Sequence, residues 1–172
     1  MMGAFPSFPS KLEQLGTKVY LIWAGLVIGV AFLATPAKFL AQSLSLSVAL
    51  EVGRHTFGVY NSVELVIVVG LLIVGAAARQ RGRWYLNLLG PAAVVVLQGL
   101  WLIPALDLRV SMIQAGQAPS SLHTAYIAVE ALKVLWLLAV GLGGTLSAVQ
   151  SRPGRLGRHH KRPGSILAHR KV

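Results

Sequence analysis

Three charged side chains lie inside otherwise apolar stretches of this sequence: Glu64, Glu130 and Lys133. A charge held at the centre of a lipid bilayer costs several kcal/mol, so such residues face one another or a wet interior. Their spacing allows that. His123, Tyr126, Glu130 and Lys133 are separated by three, four and three positions, which places them on one stripe of a helix. Phe57, Asn61 and Glu64 form a comparable stripe, with Tyr60 beside Asn61. The chemistry that follows is charge switching: the two carboxylates titrate or coordinate, and Lys133 supplies the internal counter-charge. Asn61, Tyr60 and Tyr126 supply neutral hydrogen bonds.

His55 and His123 belong at the entrance to this polar centre. With the carboxylates they make a donor set suited to a divalent metal such as zinc, copper or iron. Placed on two helices at equal depth, they are also the axial pair that a b-type haem in a redox subunit requires. A purely structural reading competes with both, in which the buried charges pair to fix helix register. Enzymatic chemistry is not expected. The chain has no cysteine, and neither a Ser-His-Asp nor an HExxH pattern stands out.

The elements that must position these residues are membrane helices. Apolar residues make up 55% of the 172 and charged residues 12%, about half the share in soluble domains. A transmembrane helix needs ~20 such residues, and four stretches qualify: about 19–37, 56–78, 84–106 and 121–147. Only helices satisfy their own backbone in lipid at these lengths, so the fold class is all-α. The first stretch is longer than a signal-peptide core and no A-x-A site follows it, so it reads as a retained helix.

Charge sets the orientation. Lys11 and Lys18 precede the first span, Arg79, Arg81 and Arg83 fill the second connection, and seven Lys or Arg follow Gln150. The positive-inside rule puts both termini in the cytoplasm of a cell (inner) membrane. Residues 1–18 then form a cytoplasmic segment, and 151–172 a disordered basic tail suited to anionic headgroups. Without aromatic residues for base stacking, nucleic acid is not an expected partner of that tail. Arg54, Asp107 and Arg109 fall at the outer rim, facing headgroups or each other.

The two halves of the chain echo each other. Pro36-Ala37 closes span one and His55-Thr56 opens span two nineteen positions after the proline; Pro104-Ala105 and His123-Thr124 repeat that spacing. Tyr60 with Val63-Glu64 then matches Tyr126 with Val129-Glu130, which suggests two tandem helical hairpins. Equivalence would put both glutamates roughly 10 to 14 Å below their histidines, at ~1.5 Å per residue. Gly25 and Gly29 make a GxxxG face on span one, suited to a membrane protein partner or a second copy of the chain.

The segments TPAKF, VGRHTF, LIPALDLR and LHTAYIAVE are similar to a small four-span family, the transmembrane protein 205-like proteins, whose bacterial members carry a domain of unknown function. The resemblance covers roughly Lys18 to Val149. A more distant similarity links them to copper-resistance-D-type membrane domains. The resemblance implies a four-span architecture and adds weight to metal binding, but implies no reaction. The expectation is therefore a non-enzymatic, multi-pass protein that binds or transports a small ligand or ion, or serves as an accessory subunit.

Overall fold

A computed structural model of the protein describes residues 11–115 and 121–150. Among them there is no strand. Four long helices make up the fold: α1 (Lys11–Leu40), α2 (Leu46–Ala77), α3 (Arg83–Ile113) and α4 (Leu122–Gln150). The shortest membrane-competent run has 26 residues, or ~39 Å at ~1.5 Å per residue, against a hydrocarbon core of ~30 Å. Large apolar side chains point outward at mid-helix, among them Val66 at 71% and Leu132 at 66% exposure. Such a surface belongs in lipid rather than water.

The helices are longer than the apolar stretches suggest. α2 begins at Leu46 rather than near 56, because the Ser45 hydroxyl caps it by accepting from the Val48 N–H at 3.3 Å. Glu51 and Arg54, which resemble loop charges, are carried by its first turns. His55 therefore lies in the body of α2 and does not open it, whereas His123 is the second residue of α4. α1 is already helical at Lys11, inside the segment 1–18 expected to precede the bundle, and α3 continues beyond 106. The expected disordered tail at 151–172 lies outside the described residues.

Both odd-numbered helices contain a π-helical stretch next to a proline. Ile28–Ala34 precedes Pro36, and Gln98–Leu102 precedes Pro104. Proline lacks an N–H and its ring crowds the carbonyl four residues back, so the regular ladder cannot pass it unchanged. In each case the residue before the proline bonds five residues back. Thr35 N–H reaches the Val30 carbonyl, and Ile103 N–H reaches that of Gln98. A side chain adds a second hydrogen bond to a carbonyl near each stretch. The Thr35 hydroxyl donates to Val30 O at 2.8 Å, and the Asn61 amide donates to Val95 O at 3.0 Å.

Each helix packs against the two beside it, α1 on α2 and α4, α3 on α2 and α4, so that α2 faces α4 across the bundle. Close approach between α1 and α4 depends on small residues. A side chain at Gly141 would strike Leu21, and one at Gly144 would strike Thr17. The indole of Trp84 fills the space left by Gly16 and Gly75. The main apolar core gathers Tyr20, Trp23, Val27, Leu71, Leu88, Val95 and Leu137. A smaller cluster of Phe57, Leu102 and Tyr126 lies toward the end that carries Pro36 and Pro104.

Candidate functional site: a buried charge cluster below a cavity

Lys133 projects from α4 into the middle of the bundle. Its ammonium has three hydrogens, and three acceptors surround it. Nζ lies 2.6 Å from Oε1 of Glu64, 3.0 Å from Oε2 of Glu130 and 3.0 Å from Oε1 of Gln98. Glu130 stands one turn back on the same helix, whereas Glu64 reaches across from α2 and Gln98 from α3. None of the four side chains has more than 2% of its surface exposed. In such a medium ion pairs are strong, and an unpaired charge is costly.

The remaining donors converge on Oε1 of each carboxylate, and among the described residues Oε2 of Glu130 accepts no hydrogen bond. Oε1 of Glu64 also accepts from the Trp23 indole N–H at 2.8 Å and from the Tyr60 hydroxyl at 3.0 Å. Gln98 spans the ion pair, accepting from Lys133 through Oε1 and donating to Glu130 Oε1 through Nε2 at 2.9 Å. Tyr126, one turn before Glu130, directs its hydroxyl at that carboxylate. The Lys133 ammonium also lies 5.8 Å from the centroid of the Tyr60 ring, close enough for a cation–π contribution. All four helices thus supply a ligand to one charge cluster.

That cluster holds two carboxylates and one ammonium. Among the described residues no further ion pair joins it, so it is one positive charge short of neutrality when both carboxylates are ionised. A single proton or monovalent cation would balance it.

The cluster lies behind an aromatic pair. The rings of Phe57 and Tyr126 pack with centroids 4.7 Å apart and planes tilted by 43°. On the far side of Phe57 is a cavity of about 240 Å³, bounded by Leu50, Gly53, Ile103, Leu106 and Val110 as well. Lys38, Arg54, Asp107, Arg109 and His123 contribute to its lining. The contact path from the cavity to a carboxylate therefore runs through Phe57, Tyr126 and Glu130.

Of the residues singled out by spacing, Tyr60, Glu64, Tyr126, Glu130 and Lys133 meet in the cluster. Asn61 is buried but serves the α3 backbone instead, with Gly99 leaving room for its amide. The histidines do not converge: His123 lines the cavity and His55 does not. Among the described residues no group of three or more His, Asp or Glu side chains is arranged to hold a metal ion. Nor do Asp107 and Arg109 pair with each other.

Spacing alone did not reveal Gln98 or Trp23. Gln98 lies in the charge-free stretch Trp84–Leu106, and its one signal is an amide six residues before a proline. Trp23 lies well inside a span, away from the headgroup level where tryptophan usually anchors. Gly25 and Gly29 have open space around them and take no part in packing within the bundle.

No protein-family model, curated protein or solved structure matches the chain. Its fold and its apolar exterior define it as a helical, multi-pass membrane protein.

Proposed function

We propose that this is a non-enzymatic membrane protein of the transmembrane protein 205-like type, which couples binding or passage of a small ligand to a proton held in its charge cluster. One observation carries the reading: two buried carboxylates share a single ammonium and lie two side chains away from a cavity. Membrane-embedded carboxylates serve proton pathways because they exist in two charge states. The missing positive charge gives a proton a place to reside. Tyr60 and Tyr126 accompany the carboxylates and extend the hydrogen-bonded path.

Positive-inside orientation places the cavity at the outer face of a cell membrane, with both termini in the cytoplasm. The two halves are a duplicated helical hairpin. Supporting this, Val30 and Gln98 each lie six residues before a proline and accept the same five-residue hydrogen bond.

The competing structural reading draws on the burial of Lys133 among Glu64, Glu130 and Gln98, a grouping that would fix helix register. Purified protein in liposomes loaded with a pH-sensitive dye separates the two. Glu64→Gln and Glu130→Gln should each yield folded protein that no longer moves protons across the bilayer. Wild-type proton movement in both variants would end the transport reading.

A further inference from the structure

The cavity beyond Phe57 has walls of one chemistry and a lining charge of another. Leu46, Leu50, Phe57, Ile103, Leu106 and Val110 make it apolar, while Lys38, Arg54 and Arg109 bring three cations against one acid, Asp107. Among the described residues none of these cations has a carboxylate partner. Arg109 donates only to the thioether of Met112 at 3.3 Å, a weak acceptor.

Lys38 is built into the wall rather than left in solvent. Its ammonium lies over the rings of Phe39 and Phe57, at 5.0 and 5.7 Å from their centroids. It occupies the space that a side chain at position 53 would fill, so Gly53 is the cradle of the ammonium. A half-buried cation held on aromatic faces, without a counter-ion, beside an apolar hollow has the features of a binding site for an anion with a hydrophobic body. Size narrows the class. About 240 Å³ lies below the ~300–1,000 Å³ of sites for drug-sized molecules, so it admits one short alkyl chain.

We infer that the cavity binds an amphipathic organic acid, its anionic group on Lys38, Arg54 and Arg109 and its single aliphatic chain between α2 and α3. This names the ligand class for the proposed proton-coupled function and rests on that reading for its transport role alone; the binding site stands on the cavity itself. The same chemistry could be offered by a free medium-chain acid or by an anionic phospholipid that inserts one chain end. The test separates these sources.

Radiolabelled decanoate is titrated onto the full-length protein in nanodiscs of zwitterionic lipid. Wild type should bind it saturably, and neither 1-decanol nor decyltrimethylammonium should displace it. Lys38→Gln, Arg54→Gln and Arg109→Gln should each weaken binding about tenfold, the scale of one lost charge-assisted hydrogen bond. Gly53→Ala should do the same by displacing the Lys38 ammonium, and Ile103→Trp should abolish binding by filling the cavity. Competition by phosphatidylglycerol added to the nanodisc would assign the ligand to the bilayer, and its failure to compete would assign a free acid. Equal displacement by 1-decanol, or wild-type affinity in all three charge-removal variants, would overturn the inference. Saturable decanoate binding without proton movement would defeat the coupled function and leave this site standing.

Discussion

Lys133 on α4 and Glu64 on α2 meet at 2.6 Å across the diagonal of the bundle, joining two helices that otherwise face each other over its interior. The contact is buried at both ends, so its energetics depend less on the pair itself than on what remains when one partner is removed. That asymmetry orders the expected mutant stabilities.

Lys133→Met leaves two carboxylates buried without a counter-charge and should destabilise the protein by ~3–5 kcal/mol. Glu64→Gln leaves one ammonium facing one carboxylate and should cost clearly less. Thermal unfolding in detergent measures both. Equal losses in the two variants would show that the excess charge is compensated by a group outside the cluster.

Gln98→Leu removes an acceptor from Lys133 and a donor from Glu130 in one step. Each buried polar atom left without a partner costs ~1–3 kcal/mol, so a loss of at least that size is expected in the same assay. Gln98→Glu adds a third carboxylate around the one ammonium, and its destabilisation should be relieved on acidification.

Pro104→Ala restores a backbone donor and removes the ring that enforces the five-residue hydrogen bond at Gln98. The regular helix that results should turn the Gln98 side chain away from Lys133. Combined with Gln98→Leu in a double-mutant cycle, the two losses should be non-additive. Strict additivity would mean that the π-helical stretch does not position Gln98.

Phe57→Ala should open the route from cavity to cluster. Carboxyl labelling with a hydrophobic carbodiimide, followed by peptide mass mapping, should then rise at Glu130 relative to wild type. Unchanged labelling would show that the aromatic pair is not what separates the two compartments.

Gly144→Leu should push α1 from α4 against Thr17 and lower the unfolding temperature. Gly25→Leu, on a helix face with open space around it, should leave monomer stability nearly unchanged. If the second substitution alters the oligomeric state by size-exclusion chromatography, the Gly25/Gly29 face is an interface.

The part of this site that could be read from the chain is the part written in charges. Glu64, Glu130 and Lys133 are conspicuous in apolar surroundings, and the positions of Tyr126, Glu130 and Lys133 already imply a shared helix face. Lipid does the rest of that inference, because it excludes almost every alternative to convergence. Gln98 and Trp23 carry no charge and resemble tolerated polar or aromatic residues within a span, so nothing in their type announces a partner 35 or 41 residues away. Asn61 is legible as an inward polar residue, but its partner is the Val95 backbone carbonyl on another helix, which no residue type announces. His55 shows the reverse case. It looked like the start of a helix because Glu51 and Arg54 resemble loop residues, yet a capped helix carries such charges readily at its rim.

The charge cluster also constrains how the chain is made. α1 and α2 leave the ribosome first, bringing Glu64 into the membrane with only the indole of Trp23 and the phenol of Tyr60 as companions. Placing an acidic residue at the middle of a lone helix costs ~2.5–3.5 kcal/mol on insertion scales, and Lys133 arrives only with the last helix. Until then the leading hairpin is a provisional resident of the bilayer, the kind of intermediate that insertion chaperones retain and quality-control proteases remove. Truncation before α4 should therefore shorten the lifetime of the first hairpin in the cell as well as remove a helix.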